Sequence, residues 1–332
     1  MKIRSQWLAV GMLALSACAN NKNVDPNRLP KPPKAPPPPP KKVAMPIDPA
    51  LTAQAKDVLA GAFASNDPVL RANSVEATQK TLGAAGAERI LAGLDDSSAL
   101  VRFASAMAAG RIPVPQAYDR LRNLANDPNT SVQIGAKFAL HMLGDKTRTH
   151  DFEKYVQDPN PRVRANAVFA LGLTNEPSAL KLLGSLRGES DPAVRLEIVE
   201  AMYRLGDADA RDQLVMGTVS AYPDDQIVSI LALASTHDER VGKNLFGQLV
   251  SDYPEVSLAA ARGLGELGYD DGMTVAIRGT TSKDPRQRSM AALALGDIGR
   301  SDAQPTLKPL LNDPDQSVRL AAATAILQLK NG

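Results

Sequence analysis

Three histidines, His141, His150 and His237, and one cysteine, Cys18, are the side chains with which this 332-residue chain could hold a metal or attack a substrate. A helix-borne metal site needs two ligands on one face, as at positions four apart, and neither that spacing nor a His-Glu dipeptide occurs. A nucleophile, a base and an orienting acid cannot be assembled around these histidines by spacing. Gly83-Ala84-Ala85-Gly86 reads as a turn between helices and not as a strand-to-helix phosphate loop. A single thiol excludes a disulfide framework and a cysteine metal site. The paired acids Asp95-Asp96 and Asp224-Asp225 sit before helices, where capping groups are needed. The expectation is a chain without a catalytic centre, metal or cofactor.

The strongest chemical regularity is a column of cations. Arg71, Arg102, Gln133, Arg164, Arg195, Gln226, Ser257, Arg288 and Arg319 stand 31 residues apart without insertion or deletion. Six places after each comes a small residue: Ala77, Ala108, Ala139, Ala170, Ala201, Ala232, Gly263, Ala294, Ala325. Such a period marks stacked units, each burying its apolar face against its neighbours. Around Arg164, Val163, Ala167, Ala170 and Leu171 share one helical face. Pro161 sits at the first helical position, after the N-cap type Asn160. Proline recurs in that column at 68, 192, 223, 254 and 285, and capping residues at Asp67, Asn129, Asp191, Asp284 and Asp315. Gly144, Gly206, Gly268 and Gly299 read as helix stops. A partner helix shows in Ile90, Leu121, Phe152, Leu183, Leu214, Leu245, Ala276 and Leu307; projected back it reaches Leu59, so the first helix starts near Asp48. The predicted fold is all-α: an alpha-alpha superhelix of nine 31-residue two-helix repeats over residues 48–332.

These units resemble HEAT-type repeats, in the short form also found in phycobilisome-lyase proteins. The resemblance covers about 285 residues and includes an acid placed six residues before the arginine, which in HEAT arrays stacks into a ladder. It reads Asp96…Arg102, Asp158…Arg164 and Asp313…Arg319, with Glu189…Arg195 as a variant. Asp127…Gln133 keeps the acid and loses the base. A row of arginines is also what an anion-binding groove would present, but these acids account for the charge structurally. The resemblance implies architecture and a scaffold that binds protein partners; one fold hosts many tasks. HEAT-like hydroxylases bind iron through His-Glu pairs that are missing here, and HEAT-like DNA glycosylases would need a basic array.

The amino-terminal residues read as an address. Residues 1–17 combine basic Lys2 and Arg4 with the apolar run Trp7 to Leu15, too short to span a bilayer. Leu15-Ser16-Ala17-Cys18 looks like a bacterial lipobox, which implies cleavage before Cys18 and acylation of it. Ala19 in place of Asp favours the outer membrane, facing the periplasm, under lipoprotein sorting rules. Residues 18–47 carry ten prolines between Pro26 and Pro46 and a net charge of +5 from residue 19 on, a composition that reads as an extended polyproline spacer of about 85 Å. With +2 on residues 1–17 and +2 overall, about −5 is left on the array, which disfavours nucleic acid.

Two adjacent repeats break the pattern together. The anchors become Gln226 and Ser257, the acids become Ser220 and Ser251, and the caps become Tyr222 and Tyr253. Aromatic rings with a polar tip are favoured binding anchors. Tyr222, Tyr253, Gln226 and Ser257 are therefore the candidate partner-binding residues, set against a bland reading in which the rings cover the preceding helix. The expected function is a non-enzymatic envelope lipoprotein that presents a repeat scaffold to a protein partner. The alternative is a binder of peptidoglycan or lipid headgroups through the basic stalk and groove, with a lyase-like enzyme third.

Overall fold

The structure is a computed structural model and describes residues 37–43, 45–145 and 151–331. The leader 1–17, Cys18, the spacer as far as residue 36 and His150 lie outside the described residues. The described chain is all-α, a succession of HEAT-like helical repeats, with one isolated parallel bridge between Arg300 and Lys330. No described helix is long and apolar enough to cross a membrane. Two compact units emerge: Phe63–Asp212, and the described residues up to Ala62 together with Gln213 onward.

Local chemistry sets the helix boundaries. The Pro68–Leu82, Pro161–Gly172, Pro192–Arg204, Pro223–Ala234, Pro254–Glu266 and Pro285–Ile298 helices each begin on proline, whose fixed φ suits the first turn. Asp67, Asn129, Asn160, Asp191, Asp284 and Asp315 each accept a hydrogen bond from a first-turn N–H that would otherwise be unsatisfied. At the other end Gly144, Gly206, Gly268 and Gly299 have positive φ. Asn175 and His237 fill the same column and also adopt positive φ, 56° and 54°. His237 is thus a helix-stop residue in a conformation that normally selects glycine.

The columns pack as their spacing requires. Every member of the partner-helix column from Leu59 to Leu307 is at most 1% exposed. The small column faces the preceding repeat: a Cβ on Gly172 would lie 2.8 Å from Ala201 Cα, and one on Gly296 would lie 2.6 Å from Ala325 Cα. Backbones that approach so closely leave no room for a larger side chain, since cores are packed to crystal density.

The spacer departs from expectation at its carboxy-terminal end. Residues 38–43 and 45–48 do not stand free in solvent; their main-chain groups hydrogen bond to side chains between Thr274 and Asn331. The reason is local: Arg300 and Gln304 are 4% and 5% exposed, and buried donors need acceptors. The segment then enters the Pro49–Phe63 helix through Asp48, whose carboxylate accepts the Ala50 N–H.

Candidate functional site

The arginine column is built by one geometry. Arg71, Arg102, Arg164 and Arg288 each place Nε and Nη2 on both oxygens of a carboxylate 25 residues further on: Asp96, Asp127, Glu189 and Asp313, at 2.7–3.0 Å. Their Nη1 donates to carbonyls five and six residues earlier, such as Asp158 and Pro159 for Arg164. The acid of each repeat therefore gives its own arginine only a main-chain carbonyl, and its carboxylate answers the arginine of the repeat before. Asp127 is accordingly not an acid without a base: Arg102 holds it. Each carboxylate also accepts the N–H of its own N-cap residue, as Asp96 does from Ser98 and Asp313 from Asp315.

Bidentate charge-assisted bonds of this kind are among the strong ones. The Arg164 fork holds the Glu189 carboxyl at about 2, well below the ordinary value. Asp96 and Asp313 are lowered for the same reason by Arg71 and Arg288. Asp158 follows Gln133 and its carboxylate accepts the Asn160 N–H. Gln133 donates to the Asp127 carbonyl as an arginine would and accepts the Tyr155 hydroxyl. Among the described residues, Arg195 and Arg319 have only main-chain carbonyls as hydrogen-bond acceptors.

From Ser220 to Ser282 the ladder carries no charge. Gln226 Nε2 bonds to the Ser220 carbonyl, while its Oε1 is buried without a hydrogen-bond partner. Ser257 Oγ bonds to the Ser251 carbonyl at 3.2 Å. Tyr222 and Tyr253 are the N-cap residues of their helices and make no side-chain cap. Asp224 and Asp225 in one first turn and Glu255 in the other supply negative charge to those helix ends instead. Tyr222 is 65% exposed; Tyr253 is half-buried. Within six residues before Tyr222 come Met216 and Val219, 69% and 64% exposed. An exposed ring and two exposed aliphatic side chains thus fall within seven residues of sequence, followed by acids. Met216, near the end of the Ala208–Gly217 helix, and Val219, in the turn that follows, escaped the sequence reading because they lie outside the repeat columns.

A second feature sits on the helices of the Phe63–Asp212 unit. The Arg111 and Arg204 guanidinium groups lie 5.3 and 5.7 Å from the centroid of the Phe169 ring. Arg204 pairs with Glu200, and Arg111 is attracted by Glu76, Glu197 and Glu200 and repelled by Arg204. Glu197 Oε1 is buried without a hydrogen-bond partner. Burial, and then the like charge of Glu200, push the Glu197 carboxyl up to about 8. The signal was present in the sequence: Glu197 stands in the column of Ala104, Gly135 and Val228, and Glu200 in that of Met107, Phe138 and Phe169. His141 belongs to neither cluster; it is 1% exposed in the last turn of its helix, with Nε2 3.4 Å from Glu176 Oε1. Among the described residues no group of His, Cys, Asp or Glu is arranged to hold a metal.

The Glu197 geometry has a pH signature. Between about pH 4.5 and 8 the unfolded chain has released this proton and the folded chain keeps it, so stability falls as pH rises. In urea unfolding followed from about pH 5 to 8, Glu197→Gln should flatten that fall and unfold at higher urea than wild type at pH 8. Parallel curves for the two proteins would show that the folded chain carries Glu197 ionised.

Comparison with known proteins follows the same repeats. A family model described as HEAT repeats matches residues 55–141, 149–235 and 242–328. Among solved structures, the complex of CpcE and CpcF of phycocyanin lyase from Nostoc sp. PCC7120 is similar at 20% identity, over 67% of this chain and 91% of that one, with a TM-score of 0.44. Human deoxyhypusine hydroxylase in complex with glycerol is similar at 18% identity, over 84% and 96%, with a TM-score of 0.38. A mutant of Kap121p is similar at 14% identity, over 84% of this chain and 37% of that one, with a TM-score of 0.36. No curated protein matches the sequence. The matched segments take in most of the array, and the chain belongs to the HEAT-repeat family.

Proposed function

We propose that the chain is an envelope lipoprotein, anchored through Cys18 at the outer membrane and facing the periplasm, whose nine 31-residue units present a protein-binding edge and perform no catalysis. The observation that carries the binding edge is the joint exposure of Met216, Val219 and Tyr222 where the ladder is uncharged. Large apolar side chains left exposed this close together in sequence favour association with a partner surface. The ring of Tyr222 supplies contact area with little rotamer entropy to lose. Asp224, Asp225, Asp252 and Glu255 border this edge in sequence and favour a partner with basic groups. The lipid anchor rests on the residues around Cys18: two acyl chains at about 0.8 kcal/mol per buried methylene hold a protein at a membrane stably.

Two experiments test the two halves separately. In cells fed a labelled fatty acid, wild type should take up label and Cys18→Ser should not; equal labelling of both removes the anchor from the account. The double change Tyr222→Asp with Tyr253→Asn restores the capping chemistry used elsewhere in the array, at about 1 kcal/mol gained per cap. Recovery of protein partners from solubilised envelopes should fall with this variant while its melting temperature holds or rises. Undiminished recovery would mean that the rings only cover the helix beneath them.

A further inference from the structure

Residues 38–43 and 45–48 are held through their main chain. Thr274 Oγ1 donates to the Pro38 carbonyl at 3.0 Å, and the Arg300 fork donates to the Pro40 and Lys41 carbonyls at 2.9 and 3.1 Å. The Val43 N–H donates to Asp302 Oδ2, the Met45 N–H to Ser301 Oγ, and the Ile47 N–H to Asn331 Oδ1, at 3.1–3.2 Å. Gln304 closes the set: its Nε2 donates to the Pro46 carbonyl at 2.9 Å and its Oε1 accepts the Asp48 N–H at 2.8 Å. Arg300 is itself fixed by Asp302 and Asp270 at 2.7–3.0 Å, so its fork is aimed before any peptide arrives.

The pattern of prolines follows these bonds. Proline stands at 38, 40 and 46, where only a carbonyl is used, and at none of 43, 45, 47 and 48, where an N–H is required. Lys41, Lys42 and Val43 meanwhile keep their side chains exposed, Val43 at 57%. What is recognised is an extended backbone with prolines at permitted places, a form that loses little entropy on binding because proline restricts it beforehand. Covalent continuity matters to none of these bonds except at Asp48, where the segment runs into the first helix.

We infer that Thr274, Arg300, Ser301, Asp302, Gln304 and Asn331 form a binding site for an extended, proline-bearing peptide segment of a protein partner, with residues 38–48 as its intramolecular occupant. The tethered copy competes with any partner, so the site opens in proportion to the fraction of molecules whose own segment has left. This site is distinct from the edge at Tyr222, and its fate does not depend on that edge.

The test uses the full chain and a fluorescent synthetic peptide of residues 37–48, read by anisotropy. Val43→Pro, Met45→Pro and Ile47→Pro together remove three donors from the tethered copy. This variant should bind the free peptide about tenfold or more tightly than wild type does. Adding Gln304→Ala should abolish the gain, and a peptide carrying the same three prolines should not bind. A variant that keeps the wild-type melting curve yet takes up no peptide would overturn the inference, as would equal uptake of a scrambled peptide. Wild type supplies an independent readout: excess free peptide should accelerate amide exchange at Val43, Met45 and Ile47, and unchanged protection there at saturating peptide would overturn it equally.

Discussion

An arginine fork reaching from one repeat to the acid of the next sets the register of this molecule. Each fork joins three things at once: the carboxylate ahead, the carbonyls of its own inter-helix turn, and through that carboxylate the N–H of the next cap. A repeat cannot slide along its neighbour without breaking both bonds of the fork to the carboxylate ahead, while the other two links hold each end of the fork in place within its own repeat. The close approach of small residues, as between Gly172 and Ala201, depends on that register. Hydrophobic burial supplies most of the driving force, but burial is non-directional and would tolerate a slipped stack. The forks would not.

Where the fork is absent, other chemistry becomes available. Over Gln226 and Ser257 the turns are held by neutral hydrogen bonds, and the freed cap positions carry tyrosines. Acids in the first helical turns offset the lost caps, so the helices persist, and Met216, Val219 and Tyr222 nearby in sequence are exposed. In the carboxy-terminal repeats, buried Arg300 and Gln304 read a backbone and leave Lys41, Lys42 and Val43 to solvent, with Met45 and Ile47 half-buried. The first feature arises where the ladder is uncharged; the second sits in a repeat that keeps its fork, between Arg288 and Asp313.

Much of the architecture was legible because a 31-residue period repeats the anchor and small-residue columns nine times and the capping and proline columns six times each in the sequence. The caps at Asn160 and Asp191, the helix stop at Gly206 and the burial of Leu183 each follow from one residue type in one column. Pairing direction was not legible: an acid six residues before an arginine looks like its partner, and only the stacking shows that Glu189 belongs to Arg164. His237 concealed its part in the stop column, because nothing in its type announces a left-handed backbone. The docking of residues 38–48 was hidden by composition. A proline- and lysine-rich segment reads as solvated, and the side chains that hold it lie some 230 to 290 residues further along the chain.

The central claim is that the fork between repeats is an energetic link and not a surface decoration. The direct measurement is a double-mutant cycle of Arg164→Met and Glu189→Gln in urea unfolding, repeated as pH is lowered. With side chains only 15% and 7% exposed, the pair should show a coupling of about 1–2 kcal/mol near neutral pH. Because the folded carboxyl is held at about 2, that coupling should be full above about pH 4.5 and fade as the pH falls toward 2. A coupling indistinguishable from zero at neutral pH, or one that does not change with acid, would contradict the account.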